Sequence, residues 1–313
     1  MSVPLAFAGI AFVALGLGDY VRVLAPGAPL LAVAGVAILA ATGIALLNVR
    51  FGAIVTGAFL AVEGIALAIL TMVAALHPVR SLPQVILHPV MLSHGALVQT
   101  PLSVLALAAV SGLWATAGAS WALYFAEEMH EVRQKIGRVI AWMGALAALT
   151  IAGPMVLMVL GAGDLKTILG AEAPIAVFLT NTGGPVLANV VSLGVVAAIF
   201  NAMIANVMAY GRFLYSTGRD GMWVGPINRF LATLHPKTGA PVAATLILAV
   251  MSIGVMFIGE KALIIFLSGN VSDYLLVSLA ILVGRAPKRR ASSTAPRFTR
   301  WSRCLALASP SLR

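Results

Sequence analysis

Residues Trp114, Thr116, Ala117, Gly118 and Ala119 sit inside an apolar stretch of membrane-spanning length and spoil its middle. Small, weakly helical residues at mid-depth stabilise nothing in lipid. They suit a broken helix beside a water-filled cavity, where freed backbone N–H and C=O groups hold a polar solute. The chemistry is ligation and release, and it points to a transporter, with Trp114 as a wall of the site. The competing use of such residues is close packing between helices. Glu63, in Ala61-Val62-Glu63-Gly64, is the lone carboxylate of another apolar run. A charge at the bilayer centre costs at least about 2.5 kcal/mol on insertion scales. A carboxylate kept there suits uptake and loss of a proton, or else a hydrogen bond to a neighbouring helix. Asn270, Ser272 and Asp273 form a second polar cluster in the last run, and Ser192, Asn201 and Asn206 a third. Both suit pairing between helices.

Charges gather where runs end. Glu127 and Glu128 close the stretch that holds Trp114, within reach of Arg133 and Lys135. Arg212, Arg219 and Asp220 end another run on the same side. Together they could form a salt-bridge gate that opens as solute is released, or serve as plain interfacial anchors. The five His, at 77, 88, 94, 130 and 235, have no metal-ligand spacing. There is no phosphate-binding Gly loop ending in Lys-Ser/Thr, no nucleophile elbow and no pair of catalytic carboxylates. ATP drive, a metal centre, a cofactor and an enzyme are therefore not expected.

The elements that must carry these residues are membrane helices. The 313 residues are 61% hydrophobic and 10% charged, with a mean hydropathy of +1.02. Soluble domains run to about 25% charged. The fold class expected is an all-α polytopic membrane protein with about eight spans: 4–24, 29–47, 53–75, 102–125, 139–160, 185–210, 242–258 and 263–283. Residues 77–95 and 161–184 are long enough for short surface helices. In 222–236, Ile227, Phe230, Leu231 and Leu234 fall at i, i+3, i+4 and i+7, which predicts an amphipathic helix on the membrane surface. One set of loops holds Arg50, Arg133, Lys135, Arg138, Arg212, Arg219, Arg229 and Lys237; the other holds Arg22, Arg80, Lys166 and Lys261. The positive-inside rule then places both termini in the cytoplasm. The net charge of +10 is thus explained by loops facing lipid headgroups, and nucleic acid is not an expected partner. The organisation expected is a transmembrane core over 1–284 and a basic cytoplasmic tail over 285–313. That tail reads either as disordered or as the product of a frame shift.

Three stretches resemble the amino acid permeases of the amino acid–polyamine–organocation superfamily. The run from Trp114-Ala-Thr-Ala-Gly118 to Glu127-Glu128 is similar to that family's sixth helix. Arg212-Phe-Leu-Tyr215-Ser-Thr-Gly-Arg219-Asp220-Gly221 resembles the end of its eighth, and His235-Pro236-Lys-Thr-Gly239-Ala-Pro241 the loop into its ninth. The resemblance spans about residues 1–285. It implies a five-plus-five inverted-repeat fold of which this chain holds the third to tenth helices. It implies secondary active transport of amino acids by alternating access, coupled to H+ or Na+, in the plasma (inner) membrane. Backbone at residues 116–119 would hold the substrate, and Ser192 could help ligate a sodium ion. Because the family places half of its site on the first helix, the resemblance also implies a fragment. The alternative is a non-transporting remnant of a degenerate permease.

Overall fold

The computed structural model describes residues 2–47, 49–115 and 132–269, together with 275, 276 and 279. Thr116, Ala117, Gly118, Ala119, Glu127, Glu128, Asn270, Ser272, Asp273 and the tail lie outside the described residues. Trp114 is described as helix only. Contacts gather residues 1–271 into one compact unit and 272–313 into another; the architecture below is that of the first.

The chain opens with α1 (Ser2–Leu24), α2 (Leu30–Ala45) and α3 (Val49–Leu76). After a small cap of α4 (Leu82–Leu87) and a hairpin of β1 (Val90–Ser93) and β2 (Ala96–Gln99) come α5 (Leu102–Ala115) and α6 (Val132–Gly161). Next are α7 (Leu165–Leu169), α8 (Pro174–Gly183), α9 (Pro185–Arg219), α10 (Gly225–Leu231), α11 (Val242–Met256) and α12 (Glu260–Ser268). Among the described residues, α1, α3, α6 and α9 are long and apolar enough to cross a membrane. α2 and α11 are apolar but have 16 and 15 residues. At 1.5 Å per residue they are roughly 24 and 22 Å long, against a hydrocarbon core of about 30 Å. This is an all-α polytopic membrane protein.

Its centre is α1, whose buried residues surround the helix: Ala6, Ile10, Ala11, Ala14, Leu17. The many alanines let α2, α9, α11 and α12 close in on it, since small side chains bring helix backbones together where lipid offers no hydrophobic drive. A second apolar cluster joins α3, α6, α7, α8 and α9. The helix common to both is α9, which at 35 residues is about 52 Å long and extends well past any bilayer core.

That extension corrects the sequence reading, which ends the run at residue 210. Arg212 and Arg219 lie on the last turns of α9 rather than in a loop. The helix stops in a Schellman motif: Met222 N–H donates to Thr217 C=O (3.0 Å) and Gly221 N–H to Gly218 C=O (3.2 Å). Gly221 sits at φ +74°, where a Cβ is disfavoured. Two residues on, Trp223 Nε1–H donates to Thr217 Oγ1 (2.9 Å) and Asn228 brackets the Trp223 backbone. The motif resembling the family's eighth helix is therefore a helix stop plus a docking site for α10.

α10 itself departs from expectation. Leu231 is 3% exposed and packs with Leu214 and Ala244, while Ile227 and Phe230 are 43% and 56% exposed. The apolar stripe is split between protein and surroundings, because Gly218 lets α10 lie directly on α9. A Cβ on Gly218 would stand 2.5 Å from Leu231 Cβ and 3.1 Å from the Asn228 carbonyl oxygen. We expect Gly218→Val to lift α10 from α9 at a cost of about 1–3 kcal/mol. Limited proteolysis should then cut within 222–236 at protease levels that leave the parent intact.

Residues 77–95 hold a second correction. Only Leu82–Leu87 is helical; the rest feeds the hairpin, which turns at His94 (φ +47°) and Gly95 (φ +76°). This cap is fastened to α6 by Arg80. Its guanidinium donates to the carbonyls of Val159, Ala162 and Gly163, and Val79 and Arg80 N–H both reach Leu160 C=O at 2.9 Å. These are the orphan carbonyls of a helix C-terminus, which favours a cation.

Candidate functional site

α3 and α9 run antiparallel, and their seam can be followed residue by residue. Gly52 meets Met208, Phe59 stands edge-on to Phe200 (5.7 Å, 74°), and Gly194 meets Ala66. Between the last two contacts lie the mid-points of both helices, and there Glu63 faces Asn201. The Asn201 amide is the hydrogen-bonding neighbour of the Glu63 carboxylate. Asn201 Oδ1 is buried and has no hydrogen-bond partner. Glu63 is half-buried. It is the only polar residue between Phe59 and Leu70.

Gly194 sets this spacing. A Cβ there would collide with Ala66 Cβ, so only glycine lets the two backbones approach closely enough for a glutamate and an asparagine to meet. Beside the seam, α1, α2, α3 and α9 enclose an apolar groove of about 660 Å³. Leu17, Val33, Val36, Phe59, Val196 and Phe200 are among its walls. It offers no polar group to a charged solute.

Ser192 is 1% exposed and its Oγ has no partner. Elsewhere the helical hydroxyls of Thr42, Thr71, Thr180, Thr245 and Ser252 each donate to the carbonyl four residues back. Ser192 stands nine residues from Asn201, which at about 100° per residue is half a turn round α9. It shares a face with Val195, Val196 and Ile199, which pack on Tyr20, Ala173 and Ala176 of α1 and α8. The structure therefore brings Glu63 to Asn201 and places Ser192 on the opposite face. Asn206 is occupied by Ala202 C=O (2.8 Å).

Of the charges at the α9 terminus, Arg219 Nε pairs with its neighbour Asp220 (3.1 Å) and its guanidinium lies over the Tyr215 ring at 5.9 Å. Arg212 Nη1 donates to Met208 C=O (3.1 Å). The His235–Pro241 stretch is a closed turn. His235 N–H donates to Ala240 C=O, Gly239 N–H returns to His235 C=O, and Thr238 N–H donates to His235 Nδ1 (3.2 Å). Gly239 takes φ +67°.

A model of the amino acid permease family matches residues 1–309. The chain belongs to the amino acid permease family. A related protein is the branched-chain amino acid permease BcaP of Lactococcus lactis subsp. cremoris, 27% identical over 136 residues. The matched region is 44% of this chain and 29% of that permease, so the comparison spans under a third of the relative's length. Membership fits the seam just described, since a membrane-buried carboxylate on a helix interface marks a solute or ion path more often than a structural brace.

At the far end of α1 from Ser2, Arg22 lies 3.9 Å from both Asp19 and Glu172, tying α1 to the loop ahead of α8. The Tyr20 hydroxyl bonds to backbone at Ile175 nearby. The Arg22 and Glu172 side chains are exposed, and such pairs contribute about 0–1 kcal/mol. We expect Arg22→Ala to lower stability by less than about 1 kcal/mol, read from the thermal unfolding midpoint in detergent.

Proposed function

We propose that this chain moves an amino acid across the plasma membrane by alternating access, with Glu63 taking up and giving back the coupling proton. The observation that supports this most is the Glu63–Asn201 meeting at the middle of two membrane helices, where an ionisable group is otherwise expensive. The relative's name gives the substrate class, branched-chain amino acids. Their apolar side chains suit walls without charge, and Trp114 is the aromatic residue assigned to that wall. The backbone of Thr116, Ala117, Gly118 and Ala119 holds the substrate's charged ends. Glu127 and Glu128 with Arg212, Arg219 and Asp220 form the cytoplasmic gate. Both termini face the cytoplasm, with 1–284 as the transporting core and 285–313 as a basic tail against anionic lipid. Ser192, with its unpartnered hydroxyl, is the sodium ligand of the variant reading in which Na+ couples transport.

The test is uptake of labelled leucine, isoleucine and valine by cells that lack their own branched-chain uptake and express this chain. Uptake above vector, competed by unlabelled substrate, is expected. A membrane-inserted chain that adds no uptake of any amino acid would fit the remnant reading and overturn this one.

A further inference from the structure

An ionised carboxylate accepts hydrogen bonds and donates none. The Asn201 amide serves Glu63 in that state with its N–H, which leaves Asn201 Oδ1 buried and without a donor. On protonation Glu63 gains an O–H, the group that Oδ1 lacks. The terminal torsion of asparagine is soft and broad, so presenting oxygen in place of nitrogen needs no backbone movement. The backbones are held at this separation on both sides, by Gly194 against Ala66 and by Phe59 against Phe200.

No charged neighbour competes for Glu63. α2, α6, α8 and α9 are the helices packed against α3. α2 and α8 carry no charge, α9 carries none before Arg212, and the charges of α6 are Arg133, Lys135 and Arg138 at its start. The other charge on α3 is Arg50, in its first turn. Asn201 is thus the side chain that answers to the state of Glu63.

We infer that Asn201 Oδ1 is the acceptor for the protonated Glu63 carboxyl, so that the pair joining α3 to α9 is complete only in the proton-loaded state. The proton forms the Glu63 O–H bond on loading and leaves from it on release; Asn201 gains and loses nothing but the hydrogen bond. Asn201 is a positioning residue, and its role rests on the reading of Glu63 as the proton-exchanging group.

Infrared difference spectra of the purified chain in liposomes, stepped between alkaline and acidic buffer, test this. The expected result is a protonated-carboxyl C=O band that Glu63→Gln removes. In protein carrying 13C-labelled asparagine side chains, an amide C=O shift should appear in step with that band and vanish in Glu63→Gln. Asn201→Leu should move the carboxyl band to higher frequency, as for an acid without an acceptor, and displace its half-titration point by at least about one pH unit, a tenfold change in proton affinity. If the carboxyl band is present but neither Asn201→Leu nor the label moves with it, the Asn201 role is wrong while Glu63 keeps its own. If no band depends on Glu63, the coupling reading fails and this inference with it. The labelled, unsubstituted chain decides the matter if Asn201→Leu does not fold.

Discussion

Uptake by Glu63→Gln is expected to lose its pH dependence. In the parent, a carrier that must load a proton on Glu63 slows about tenfold per pH unit along the alkaline limb of its profile, following the protonated fraction of one acid. Gln is close to isosteric with protonated Glu and can still meet the Asn201 amide, so the α3–α9 seam should survive. The variant should exchange labelled for unlabelled substrate at a rate that varies less than about twofold from pH 5.5 to 7.5, since no carboxyl is left to follow the protonated fraction. It should not accumulate substrate against a gradient. A variant with the parent's full pH profile would show that the proton is carried elsewhere.

Gly194→Leu should do the greatest damage of any substitution outside the substrate site. Its Cβ alone collides with Ala66, and the rest of the side chain has no room on a face already filled by α3. Overpacking costs about 1–3 kcal/mol where neighbours can yield. Here the neighbour is a methyl on a helix backbone, so α3 must move bodily and Glu63 parts from Asn201. The expected result is loss of more than about 90% of uptake with a thermal midpoint lowered by several degrees, in line with that energy. Gly194→Ala should fall between the two, and Ala66→Gly in the Gly194→Ala background should restore part of both. Restoration would locate the fault at this contact rather than in α9 generally.

How much of this was legible beforehand differs by element. Apolar runs announced α1, α3, α6 and α9, because lipid demands long apolar helices and permits little else. Their ends were less legible: α9 continues nine residues past Tyr210, since charged residues are good helix formers once the helix leaves the membrane. The hairpin at Val90–Gln99 was missed although His94-Gly95 carries a turn signal, because its strands are only four residues each. The stripe on α10 was visible, but a stripe does not say what covers it. Leu231 faces Gly218 because of a tertiary contact that periodicity cannot encode.

The site shows the same division. Glu63 stood out by chemistry, as a carboxylate in a run without polar neighbours. Asn201 was visible as a polar residue but not as the partner of Glu63, because that meeting depends on the register of two helices 138 positions apart in the chain (63 to 201). Gly194 is one glycine among 30; only the packed seam distinguishes it. The family motifs around Gly218–Gly221 and His235–Pro241 prove to be structural devices, a Schellman stop and a closed turn, and their backbone geometry explains the glycines they contain.

The most direct test of the account is proton movement coupled to substrate. The chain would be reconstituted in liposomes with a pH indicator inside and no ion gradient, and a branched-chain amino acid added outside. The account predicts acidification of the lumen on addition, abolished in Glu63→Gln and absent with a solute that is not taken up. Substrate entry with no change in lumenal pH would contradict it.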